Sequence, residues 1–126
     1  MKESKTYFNE ELKIVICEIN GFLNTEKFKE SGSKSNELLK KYSVCKQLNN
    51  IQNMKVLTME IQAWVDEVWF PKAKISGLKH FAFVVPNDTF GKVSMDTVNA
   101  DAKAKYGINV EYFTDEEVAK QWLISQ

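Results

Sequence analysis

The sequence contains few residues of the kinds that bind metals or form covalent cross-links. Its 126 residues include a single histidine, His80, and two cysteines, Cys17 and Cys45. Neither cysteine has a second cysteine or a histidine at the spacing that zinc ligands need, so we expect no metal site and no cofactor. Both cysteines lie in apolar, strand-like stretches, which is more typical of buried free thiols than of a disulfide.

The sequence also lacks an excess of charge of either sign. Its 17 Lys and Arg residues balance 17 Asp and Glu residues. General affinity for nucleic acid needs clustered positive charge that displaces counterions from the phosphates, and the sequence contains no dense basic run. We therefore expect no nucleic-acid partner.

Long apolar segments are missing as well. The longest, Phe81–Pro86, is far shorter than the roughly 20 residues that a membrane-spanning helix needs. The start of the sequence, MKESKTYFNEE, has no apolar centre of the kind found in secretory signals. These features predict a cytoplasmic protein with no integral membrane segment.

What remains is an ordinary globular composition. Hydrophobic residues make up 44% of the chain and charged residues 27%. A chain of this length fits one domain and can bury a core without disulfides or metals. We predict a single domain over residues 1–126.

Five segments have strand character, and Gly21 is expected to end the second. They are Thr6–Phe8, Leu12–Asn20, Ser43–Asn50 with Ile51 beyond it, Leu78–Pro86 and Asn109–Phe113. The first two predict an antiparallel hairpin. The fourth is apolar almost throughout, as expected of a central parallel strand.

Helical patterns alternate with the later strands. Thr25 is predicted to cap a helix to about Tyr42, with Gly32 marking close packing or an irregularity. A weaker helix is predicted over about Ser94–Tyr106, and Thr114 with Glu117 forms a capping box that opens a short last helix. The order predicts an α/β fold with a mixed, mostly parallel sheet of about five strands, an N-terminal antiparallel hairpin and about four helices.

The remaining helix carries the most distinctive pattern. Thr58 is its predicted cap, and its apolar residues, spaced for one face, are Ile61, Trp64, Val65, Val68 and Trp69. Because Pro71 lacks the N–H that would bond to Glu67, we predict a kink or break near Phe70 and an end at Gly77.

The sequence resembles the SpoIIAA-like family, whose fold is related to STAS domains and to lipid-binding SEC14-type domains. The resemblance covers nearly the whole chain and implies fold more than function. The segments that carry it are the Gly21 turn, the cluster Trp64–Trp69–Phe70–Pro71, the run Gly77–Pro86, and the closing residues Tyr112, Phe113, Glu116, Glu117, Trp122 and Leu123.

One family feature does not transfer. STAS switches carry a phosphorylatable Ser or Thr, usually after an Asp, at the start of the helix that follows the third strand. The corresponding stretch here, Asn50–Thr58, has no Asp-Ser pair. Thr58 is therefore a helix cap and only a weak candidate for modification.

Two groups of residues are candidates for binding a ligand or partner. Asn87, Asp88 and Phe90 follow the fourth strand, and ligands of open α/β sheets bind beyond the carboxyl ends of parallel strands. A simple turn also explains these residue types. The second group is Trp64, Trp69 and Phe70.

In an α-helix Trp64 and Trp69 lie about 140° apart, so one stripe does not bury both equally. One of the two, or Phe70, would then face outward or line a groove. An exposed aromatic of this kind marks an interface or an apolar ligand site. The alternative is that all three residues belong to the core.

The sequence contains no catalytic motif. A distant possibility is an enzyme that uses His80 and Asp88. The leading hypothesis is a non-enzymatic regulatory module that binds a protein partner, or a second copy of itself, through the aromatic helix and the adjoining loop. The alternative is a carrier or sensor of a small apolar molecule or lipid, which the relation to SEC14-type domains implies.

Overall fold

The computed structural model describes residues 4–21, 24–54, 58–86 and 105–126. Within these ranges, five strands form one sheet with helices on both faces. The strands are β1 (Lys5–Asn9), β2 (Ile14–Gly21), β3 (Lys46–Met54), β4 (His80–Val84) and β5 (Asn109–Phe113). The helices are α1 (Thr25–Tyr42), α2 (Met59–Trp64), α3 (Phe70–Ser76) and α4 (Glu116–Ile124), and a π-helical segment, Val65–Trp69, joins α2 to α3.

The strand order in the sheet is β1-β2-β3-β4-β5. β1 and β2 form the predicted antiparallel hairpin, and the three remaining pairs are parallel. The prediction of a mixed, mostly parallel five-stranded sheet is therefore confirmed. Its carboxyl edge, where β2 to β5 end, is the edge at which ligands of such sheets bind.

The alternation of side chains along β2 separates two cores. Val15, Cys17 and Ile19 face α1 and α3, where Leu39 and Phe70 are buried. We call this side of the sheet the α1–α3 face. The intervening residues face α4, whose buried residues are Ala119 and Leu123, and we call that side the α4 face.

Two helix caps differ from prediction by one residue. Asn24, not Thr25, caps α1, and its Oδ1 accepts a hydrogen bond from the Lys27 backbone N–H at 2.8 Å. Asp115, not Thr114, caps α4. Asn and Asp are at least as effective as Thr at this position, so an adjacent one takes the role. Thr58 caps α2 as predicted, with its Oγ1 accepting from the Ile61 N–H at 3.1 Å.

The third strand is shifted toward the C-terminus. It was predicted over Ser43–Asn50 but spans Lys46–Met54. Ser43 ends α1 in the left-handed conformation, with φ of 52°, so pairing with neighbouring strands begins only after Cys45. The helix predicted over about 94–106 lies outside the described residues except at 105–106, which are helical.

His80 begins β4 on the α4 face, and its ring lies edge-on to that of Trp122 with centroids 6.2 Å apart. Burial, and then the nearby Lys46 and Lys79, lower the pKa of His80 from its ordinary 6.5. A lowered folded-state pKa means that the unfolded chain binds the proton more tightly. The stability that His80 contributes is therefore present above the unfolded-state pKa and is lost as the pH falls through the lower folded-state pKa.

We predict that acidification from about pH 7.5 to about pH 5 lowers the free energy of unfolding more in the wild type than in His80→Gln, which does not titrate there. Urea unfolding at each pH, followed by circular dichroism, measures the difference. If the free energy of unfolding of the two proteins depended equally on pH, the lowered pKa of His80 would be contradicted.

Candidate functional site

A cavity of about 50 Å³ lies between the sheet and the helices of the α1–α3 face. Its floor is formed by side chains of β2, β3 and β4, among them Cys17, Asn49 and Phe83. Phe28 and Gly32 of α1 form one wall, and the tryptophan-bearing helix forms the other. The lining is mostly apolar, which is typical of small-molecule sites.

The cavity lies toward the carboxyl edge of the sheet. Ile19, Ile51 and Met54, which line it, all belong to the second half of their strands. The position agrees with the general location of ligand sites in open α/β sheets. A more open groove of about 300 Å³, lined by Val85, Phe113 and Val118, lies at the same edge.

The π-helical segment brings Trp64 and Trp69 to the same side of their helix. The Phe70 N–H bonds to the Val65 carbonyl, five residues back, so the hydrogen-bonded turn is wider than an α-helical one. A Cβ placed on Gly32 would lie 2.6 Å from Trp64 Cη2 and 2.9 Å from Trp69 Cδ1. Both rings therefore pack against one glycine.

The segment also bears on the kink or break predicted near Phe70 from Pro71. The helical turns continue to Ser76 without a break, and the helix is irregular directly before Phe70. The irregularity is the wider, π-helical turn over Val65–Trp69, which comes just before Pro71. Helix α3 begins with Phe70 and Pro71, a position at which proline's missing N–H costs little.

Trp69 is the best anchored of the three aromatic candidates. It is 3% exposed, and its Nε1–H donates to the Gly32 carbonyl at 3.0 Å and to Ser35 Oγ at 3.2 Å. Its ring also packs against Phe81, with centroids 5.0 Å apart. Trp69 thus joins α1 to the sheet and forms an inner wall of the cavity.

The other two aromatic candidates differ in their environment. Trp64 is half-buried, lines the cavity and meets Phe28 edge-on at 6.2 Å between centroids. Phe70 is fully buried among Trp69, Phe81 and Tyr106. Phe70 is a core residue, whereas the two tryptophans belong to the cavity wall.

The remaining sequence candidates do not join this cluster. Asn87, Asp88 and Phe90 lie outside the described residues. Thr58 is exposed and acts as the cap of α2. His80 lies at the amino end of β4 and on the α4 face, away from the cavity.

Sequence reasoning did not identify Cys17 and Asn49 as site residues, because their role depends on which face of the sheet they occupy. Gly32 had a usable signal, since a glycine in the middle of a predicted helix indicated close packing. That expectation is confirmed by the contact with the two tryptophans.

None of the described residues that line the cavity is charged. Burial raises the pKa of the Cys17 thiol above its ordinary 9.0, and hydrogen bonds with Thr6 and Ser31 act in the opposite direction. Cys17 is therefore a neutral thiol at physiological pH rather than a nucleophilic thiolate. The cavity suits an uncharged, apolar ligand.

The described part of the chain contains neither a group of metal-binding side chains nor a helix suited to cross a membrane. Over residues 4–21, 24–54, 58–86 and 105–126, no three His, Cys, Asp or Glu side chains are grouped so that they could hold a metal ion. Nor does any helix in those ranges combine the length and apolarity needed to cross a membrane.

The mixed sheet with its N-terminal hairpin and the helices on both faces define an α/β domain. The model of the SpoIIAA-like family matches residues 14–124, and the chain belongs to that family. No curated protein matched the sequence.

One solved structure with the same fold comes from Shewanella loihica PV-4. It is described as an uncharacterized protein from the DUF3478 family with a SpoIIAA-like fold, determined at 2.25 Å resolution. The two chains are 16% identical with a TM-score of 0.65, and the match covers 95% of this chain and 91% of that one. At this identity the similarity concerns the fold alone.

Gly32→Ala should destabilise the protein, although alanine is the better helix former by about 1 kcal/mol. The new methyl group would overlap both tryptophan rings, and Trp69 cannot move without losing its hydrogen bonds to α1. We expect a loss of about 1–3 kcal/mol in the free energy of unfolding, as for other overpacked sites.

Ser33→Ala is the matched control, because Ser33 is exposed on the same helix and alanine should be neutral or slightly stabilising there. Combining Gly32→Ala with Trp64→Ala should recover part of the loss in a double-mutant cycle, since Trp64 makes the closest contact. If Gly32→Ala had the same free energy of unfolding as the wild type, the close packing of the two tryptophans on Gly32 would be refuted.

Proposed function

We propose that this protein is a non-catalytic binding domain that takes up a small, uncharged, apolar molecule as a carrier or sensor. The observation that carries the proposal is the cavity at the carboxyl edge of the sheet, walled by Trp64 and Trp69 and free of charge among its described lining residues. Such cavities are the default ligand sites of α/β domains.

The size of the cavity favours a small molecule over a lipid. A water molecule needs roughly 10–15 Å³ of such volume, so about 50 Å³ holds about four water-sized groups. An acyl chain is too long for this volume. The proposal is therefore a ligand of a few heavy atoms.

A non-catalytic role agrees with the chemistry of the described lining. Acid–base catalysis needs a titratable group near the substrate. The only titratable group among these residues is the buried Cys17 thiol, which stays protonated.

Binding of a protein partner, or of a second copy, through the aromatic helix is less well supported. Trp69 and Phe70 are 3% and 0% exposed, so neither offers surface to a partner. The strongly exposed apolar residues of this region are Met59 and Ile75, at opposite ends of the helical run.

Native mass spectrometry of the untagged protein, purified from its own host, tests the proposal directly. We expect a small additional mass that disappears on denaturation. A bare monomer would contradict the carrier function, and a bare dimer would favour self-association instead.

A variant that fills the cavity should abolish this binding without harming the fold. Ile51 lines the cavity and is 9% exposed, so the larger ring of Ile51→Phe can enter the free space. We expect unchanged stability, or a gain of about 0.5–2 kcal/mol, together with loss of the bound mass.

Ile61→Phe is the control, because Ile61 is buried on α2 but does not line the cavity. The same enlargement there should cost about 1–3 kcal/mol and leave the bound mass in place while the protein is folded. Equal retention of the ligand by Ile51→Phe and the wild type would show that the ligand binds elsewhere.

A further inference from the structure

The central strand of the sheet carries polar side chains where its neighbours are apolar. β3 lies between β2 and β4, and its residues Gln47 and Asn49 belong to the α1–α3 face. Gln47 is in register with Val15 and Phe81, and Asn49 with Cys17 and Phe83. Two amides therefore interrupt the apolar surface that faces the helices.

Gln47 is 1% exposed, and its Nε2 donates to Asn49 Oδ1 at 2.8 Å. Its Oε1 is buried and has no hydrogen-bond partner among the described residues. Burying an amide with an unpaired oxygen costs stability relative to an apolar residue of similar size. What Gln47 does provide is a fixed orientation for the Asn49 amide.

The Asn49 side chain lines the cavity. Since its Oδ1 accepts from Gln47, the group left for the cavity is its Nδ2, which carries two N–H donors. The hydroxyl of Ser35, by contrast, both donates to Gly32 and accepts from Trp69. Asn49 thus brings unused hydrogen-bond donors to a mostly apolar site.

We infer that Asn49 is the polar anchor of this cavity, and that the ligand is a small neutral molecule with an apolar body and a hydrogen-bond acceptor such as a carbonyl oxygen. Gln47 is the positioning residue that holds the anchor. This inference rests on the proposed function, since it specifies the ligand of the same cavity.

A neutral ligand with a carbonyl acceptor fits both the uncharged lining of the cavity and the hydrogen-bond donors of Asn49. The lining described above offers no charge to pair with an ionised ligand, which would lose its hydration on entry. A pure hydrocarbon would leave the Asn49 donors buried and unpaired. A neutral ketone, ester or amide with a short apolar body avoids both costs.

The test compares two probes of similar shape, cyclopentanone and cyclopentane, which differ in the acceptor. In titrations of isotope-labelled wild-type protein followed by NMR, both should shift the resonances of Trp69 and Phe83. Only cyclopentanone should move the Asn49 side-chain amide protons downfield, because only it accepts their hydrogen bond. This measurement needs no variant and so does not depend on how a mutant folds.

Asn49→Leu removes the donors while nearly keeping the shape. We expect cyclopentanone to bind about tenfold more weakly to this variant, the usual effect of one lost hydrogen bond, with cyclopentane unchanged or tighter. Asn53→Leu is the control, since Asn53 is an exposed asparagine on the same strand, outside the cavity. Gln47→Met should reduce the preference for cyclopentanone by a smaller factor.

The outcomes separate the inference from the function on which it rests. A downfield shift and a tenfold loss confined to cyclopentanone support the anchor. Binding of both probes with no selective effect at Asn49 overturns the anchor and leaves the apolar cavity as a binding site. If neither probe perturbs the cavity residues up to its solubility limit, the proposed function fails as well.

Discussion

The contact between Gly32 and the two tryptophans holds the helices of the α1–α3 face together. A side chain at position 32 would occupy the space of the Trp64 and Trp69 rings, so this approach of the two helices requires glycine. The hydrogen bond from Trp69 Nε1 to the Gly32 carbonyl then fixes the distance, and the packing of Trp69 on Phe81 connects both helices to β4. The cavity lies beside this contact and shares its residues, so its shape depends on the same glycine.

The π-helical segment allows both tryptophans to contact Gly32. In a regular α-helix, Trp64 and Trp69 would point in directions about 140° apart, and only one could reach α1. Widening the turn over Val65–Trp69 places both on the side of Gly32. The widening occurs just ahead of Pro71, whose missing N–H already prevents a regular hydrogen-bond ladder at this point. A backbone irregularity just before a proline thus coincides with the wall of the cavity.

The sequence predicted the sheet well because its signals are local. Runs rich in β-branched and aromatic residues, such as Phe81–Val85, are bounded by turns and helix caps, so they can be recognised without knowledge of the tertiary structure. The site was less predictable, because periodicity arguments assume 3.6 residues per turn and fail across the π-helical segment. Gly32 was identified as a point of close packing, but its partners are 32 and 37 residues away in sequence and could not be inferred. Gln47 and Asn49 lie two residues apart in both the predicted and the observed third strand, so a shared face was predictable, but which face they occupy was not.

The two faces of the sheet are built from the same strands but differ in their packing and polarity. On the α4 face, Ile14, Ile16 and Leu48 are fully buried against one short helix, as expected of a sheet covered on both faces. On the α1–α3 face, the same strands carry a buried amide pair beside an unfilled cavity. Each of these features lowers stability by itself, since an apolar residue at position 49 and a larger one at position 51 would improve the packing. Departures from local consistency are expected where a protein serves a function. The amide pair and the cavity lie together on one face of the sheet, which is the physical reason why we propose this cavity, rather than the surface of the helices, as the binding site.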